Sequence, residues 1–66
     1  MDKTIFTEVM QHIVVSLHQA GYYPKNQLIK YLETGQDYYI TRAGNARSII
    51  RSLDKHQIMQ YVLKMV

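Results

Sequence analysis

Phe6, Val9, Met10, Ile13, Val14 and Leu17 recur at steps of three and four residues, which puts them on one face of an amphipathic helix. The pattern predicts a first helix from Thr4, a candidate N-cap, to Ala20, with Gly21 as a terminator able to turn left-handed. Pro24 suits the first turn of a second helix, where its missing N–H leaves nothing unsatisfied. Leu28, Ile29 and Leu32 line one side of that helix and Gly35 ends it. Asp37 is placed to cap a single short turn carrying Tyr38 and Tyr39. Gly44 and Asn45 then break the chain before a short helix, roughly Asn45 to Leu53, with Ala46, Ile49, Ile50 and Leu53 on its apolar side. Asp54 followed by Gln57 has the spacing of a capping box. The last helix begins there, with Ile58, Val62 and Val66 on one face and Met59 and Leu63 beside them. The expected fold is all-α: a single domain over residues 1–66, a small bundle of four longer helices plus one short helical turn.

A chain of 66 residues is near the lower limit for independent folding, and it has no cysteine to staple it with a disulfide or thiolate metal site. At 47% apolar it is too hydrophobic for a disordered segment. Pairing with a second copy would enlarge so small a core, so a homodimer is expected. His12, His18 and His56 show no metal-ligand spacing, and no metal or other cofactor is expected. No stretch approaches the roughly 20 apolar residues that cross a membrane, and the amino terminus does not read as a secretory signal. The expected location is the cytoplasm.

The net charge of +3 is unevenly placed: residues 1–40 carry −1 and residues 41–66 carry +4. Most of the excess comes from Arg42, Arg47 and Arg51, with Lys55 one turn further on and Asp54 as the local acid. Arg47 and Arg51 are four apart, so on a helix they project from one face, opposite the apolar side. Guanidinium groups match carboxylate or phosphate oxygens in a two-point fork that lysine does not copy. Arg42, Arg47, Arg51 and Lys55 are therefore the candidate partner-binding stripe. The competing reading is internal salt bridging, for instance to Glu33, Asp37 or the carboxyl terminus.

Other residues weigh towards structure. Asn26 and Gln27 are placed to satisfy backbone groups of the tight Gly21–Pro24 connection. Of the six tyrosines, Tyr31, Tyr39 and Tyr61 fit core or interface positions better than stacking on nucleic-acid bases. Ser48 and Ser52 have no supporting histidine and the five acids form no pair, so no catalytic site is expected. A core this small would also hardly enclose a substrate.

The segment Gly21-Tyr22-Tyr23-Pro24-Lys25-Asn26-Gln27, running on to Gly35 and continued by Tyr39-Ile40 and Asn45-Ala46-Arg47-Ser48-Ile49-Ile50-Arg51, resembles the IreB/ReoM family of small regulatory phosphoproteins of Gram-positive bacteria. The likeness runs from Gly21 to the carboxyl end and joins two blocks at fixed spacing. It implies an all-helical, cytoplasmic homodimer without catalytic activity. It also implies regulation by a Ser/Thr kinase, and control of peptidoglycan-precursor synthesis through an AAA+ protease machinery or the cell-wall synthesis enzyme it degrades. Three departures stand out. Tyr23 replaces the usual Asn before Pro, and Gln36 replaces an Asp after the glycine, with Asp37 one place later. The phosphorylated threonine of the family lies in a tail ahead of the first helix. Here Thr4 and Thr7 are the amino-terminal threonines, so a short member without most of that tail is expected, with both as possible phosphorylation sites.

The functional expectation is a non-enzymatic regulatory adaptor whose arginine face meets the acidic surface of a protein partner. The rival is a helix-turn-helix-like DNA-binding regulator, since arginines on a short second helix after a Gly-containing turn suit a recognition helix. Against it, the stretch from Gly35 to Asn45 is longer than the usual turn and the net charge is modest. A third possibility is an inert dimerisation module.

Overall fold

The computed structural model describes residues 2–65 and is all-α, without a strand among the described residues. Helix α1 spans Lys3–Gln19, α2 Pro24–Thr34, α3 Ala46–Arg51 and α4 Lys55–Leu63. Between α2 and α3 lie two 3-10 turns, Asp37–Tyr39 and Ala43–Asn45, where the periodicity predicts one.

Local signals explain most of the boundaries. The α1 N-cap is Asp2 rather than Thr4: the Thr4 N–H donates to Asp2 Oδ1 at 2.8 Å. A carboxylate at this place also meets the positive end of the helix dipole, an advantage a threonine hydroxyl lacks. At the other end Gly21, at φ +91°, closes α1: its N–H donates to the His18 carbonyl and that of Tyr22 to the Leu17 carbonyl, the paired bonds of a Schellman motif. Pro24 opens α2 after Tyr23, whose side chain makes no capping bond, as the replacement of Asn by Tyr implies. Gly35 closes α2 at φ +74°. Asp54 caps α4 through the Gln57 N–H at 3.1 Å, as the capping-box spacing predicts.

Two further expectations change. Asp37 does not cap its turn: Gln36 holds the cap position, and the Asp37 carboxylate reaches Arg51 instead. Met59 and Leu63 are 48% and 76% exposed, so they lie outside the core that Ile58 and Val62 enter. Nine residues give α4 about two and a half turns, and its packed side is Ile58 and Val62 with Tyr61 beside them. Val66, expected on that face, lies outside the described residues.

Helix α1 supplies Phe6, Met10, Ile13 and Leu17 to a core closed by Leu28 and Tyr31 of α2, Ile40, Ala46 and Ile50 of α3, Leu53, and Ile58 and Val62 of α4. Phe6 meets Tyr61 edge-to-face, with ring centroids 6.4 Å apart. Helix α1 packs against α3 and the second 3-10 turn, while α2 packs against α4 and the first. The helix carrying Arg47 and Arg51 thus packs on α1 and against both 3-10 turns. Among the described residues no helix is long and apolar enough to cross a membrane, and no cluster of His, Asp or Glu converges on a metal site.

Candidate anion-binding face

The arginine segment is shaped by two successive left-handed residues. Gly44 sits at φ +60°, ψ +19° and Asn45 at φ +61°, ψ +20°, a region glycine enters freely and asparagine tolerates best among the rest. Backbone bonds fix the reversal: the Asn45 N–H donates to the Arg42 carbonyl and the Arg47 N–H to the Thr41 carbonyl, both at 3.1 Å. The Ala43 N–H donates to Thr41 Oγ1. From α1, His12 Nε2 lies 2.7 Å from the Gly44 carbonyl, so this nitrogen carries the proton and donates. A Cβ on Gly44 would come within 2.5 Å of Ser16 Oγ, which shows how closely the turn is seated on α1.

The reversal brings Arg42, ahead of α3, to the same depression as Arg47 and Arg51 on it. Asp37, Asn45 and Ser48 complete a lining around about 420 Å³. Arg47 is half-buried, and its Nε donates to the Ile40 carbonyl at 2.9 Å. A neutral carbonyl therefore holds this guanidinium in place without cancelling its charge, and four of its five N–H groups remain. Arg51 is 61% exposed at its side chain and pairs with Asp37 at 3.5 Å. Among the described residues, internal salt bridging thus accounts for one arginine, through Asp37. Arg42 is exposed and forms no ion pair among the described residues.

Lys55 does not join the depression. Its ammonium lies 5.5 Å from the centroid of the Tyr31 ring, a cation–π arrangement at the start of α4. Burial raises the Tyr31 phenol above the ordinary tyrosine range; the Asp37 carboxylate adds to this and Arg51 opposes it. Thr4 and Thr7 stand elsewhere. The Thr7 hydroxyl donates to the Lys3 carbonyl at 2.9 Å and borders a separate groove between α1 and α4, beside Lys3, Gln60 and Lys64.

Asn45 and Ser48 were legible as lining residues only in part. Ser48 is three before Arg51, hence on the same helical face, whereas Asn45 enters through its left-handed backbone. Gln27 satisfies a backbone group, but not in the Gly21–Pro24 connection: its Nε2 donates to the Tyr39 carbonyl at 3.0 Å and ties the first 3-10 turn to α2.

The chain matches the family model described as IreB regulatory phosphoprotein over residues 1–66. A UPF0297 protein of Ruminiclostridium cellulolyticum is 45% identical over 58 residues, covering 82% of this chain and 66% of the relative, which is the longer protein. The match over residues 1–66 and this degree of identity agree with the family resemblance. The chain belongs to the IreB family of regulatory phosphoproteins.

Proposed function

We propose that the chain is a non-enzymatic regulatory adaptor whose arginine face holds an acidic surface of a protein partner. One observation carries the reading: three guanidinium groups border one depression in which, among the described residues, a single carboxylate neutralises one of them. Arg42 and Arg47 supply most of the unpaired charge, and Arg51 adds to it once Asp37 is displaced. Lys55, held over Tyr31 outside the depression, contributes through its charge alone. Family membership supports a regulatory role, and by resemblance the partner is the AAA+ protease machinery or a cell-wall synthesis enzyme, under a Ser/Thr kinase, in the cytoplasm. Thr4 and Thr7 are the residues of this chain on which such a kinase would act. A homodimer is the assembly we expect.

Charge reversal tests the face directly. Arg47→Glu with Arg51→Glu should abolish capture of the partner from extract at moderate salt while the far-ultraviolet dichroism stays helical. Normal capture by that variant would remove the face from the mechanism. The DNA-binding rival fits less well, because α3 has six residues, about 9 Å of helix, and two 3-10 turns precede it. A mobility shift on mixed duplex DNA with a steep negative salt slope would restore it.

A further inference from the structure

The arginine depression contains an acid of its own. Asp37 is the first residue of the first 3-10 turn, which the Ile40 N–H closes on the Asp37 carbonyl at 2.9 Å and which Gln27 of α2 anchors through the Tyr39 carbonyl. An anchored backbone therefore presents the carboxylate to Arg51. The contact itself is loose. At 3.5 Å, with the two side chains 61% and 37% exposed, it is an ion pair of the kind that water and salt weaken readily. Arg47, by contrast, is fixed through Ile40 and has no carboxylate within 4 Å among the described residues.

We propose that Asp37 is an internal place-holder: in the free protein its carboxylate occupies Arg51, and on binding it gives way to a carboxylate of an acidic partner segment. The inference rests on the arginine face being a binding face, and it names what that face takes. Asp37 itself demonstrates the chemistry, an aspartate carboxylate on a short turn fitting beside Arg51. A partner segment with two or more neighbouring acidic side chains would exchange with Asp37 at Arg51 and fill Arg47 or Arg42 as well. The place-holder then suppresses binding of isolated acids at Arg51, because one incoming carboxylate there only replaces a contact already present. Segments with several acids gain contacts that Asp37 does not compete for. Asp37 thereby sets a threshold of acidity for engaging Arg51.

The test is a chemical-shift titration of the isotope-labelled full chain with a hexaglutamate peptide, followed at the amides of residues 37–51. Asp37→Asn should tighten binding about threefold, the worth of an exposed ion pair, and Arg51→Gln should weaken it. In the Arg51→Gln background Asp37→Asn should lose most of its gain, since the contact it releases is gone. Asp37→Ser gives the same reading if the asparagine disturbs the turn. Unchanged or weaker binding by both Asp37 variants, with Arg42→Gln and Arg47→Gln still weakening it, would overturn the place-holder and leave the binding face standing. Peptide shifts that ignore all three arginine substitutions, or that are absent throughout, would overturn the face and the place-holder together.

Discussion

Gly44 shows how much one residue decides in a chain this small. Its positive φ costs a non-glycine residue about 1–2 kcal/mol. The site is also crowded: an added Cβ would lie 2.5 Å from Ser16 Oγ, whose residue is buried and whose hydroxyl is already bonded to the His12 carbonyl. Gly44→Ala should therefore lower stability by about 2–4 kcal/mol, combining backbone strain and overpacking. In a Ser16→Ala background the same substitution should cost less, and urea unfolding of the four proteins measures the difference. Equal costs in both backgrounds would assign the effect to the backbone and to His12, whose Nε2 would lie 3.0 Å from the added Cβ. Tyr31 gives a second prediction at this scale. Burial and Asp37 hold its phenol neutral beyond the pH at which an unfolded tyrosine ionises, near 10. Stability is thus insensitive to this group below that pH and falls as pH rises from there through the raised folded value. The urea midpoint of the wild type should decline above about pH 10, and Tyr31→Phe should make the decline shallower.

Among the elements, those announced by adjacent residues were legible in sequence and those fixed by distant ones were not. Pro24, Gly35 and the Asp54–Gln57 pair act within one turn of the chain, and α2 and α4 begin or end where they say. The second 3-10 turn escaped the pattern because it is held from outside: His12, 32 residues away in sequence, bonds to the Gly44 carbonyl. Asp37 was legible as an acid near the arginines, but choosing Arg51 over a capping role needed the position of α3. The sequence places Arg47 and Arg51 on one helical face with Arg42 upstream and Lys55 a turn beyond. What it does not show is that a reversal carries Arg42 to the same depression and that Lys55 turns to Tyr31. Asp54 offers the clearest test of an element held by its own sequence. Asp54→Ala should cost about 1 kcal/mol and speed hydrogen exchange first in α4, while Asp54→Asn, which keeps an accepting oxygen, should stay close to the wild type. Exchange that quickens uniformly along the chain would mean that α4 does not open separately.

At the scale of the whole molecule, closure and stability have to be separated. The accessible surface of 4530 Å² is close to the roughly 4,400 Å² that a monomer of 7.8 kDa exposes, so a single chain already forms a closed fold. A chain of this length nonetheless buries only about 60% of its unfolded surface, which leaves a thin margin against conformational entropy. Met59 and Leu63 lie four apart on α4 and are exposed side by side, which makes them the natural place for added burial. We expect a homodimer that uses this pair. Its apparent unfolding temperature should then rise with protein concentration, because mass action favours a state that binds its own copy. Met59→Glu with Leu63→Glu should leave helicity unchanged, sediment as a monomer and abolish that concentration dependence. A dimer that survives the double substitution would move the interface to another face. A wild type that sediments as a monomer at every concentration would leave the marginal core to stand alone, and would make Gly44→Ala correspondingly more damaging in the cell.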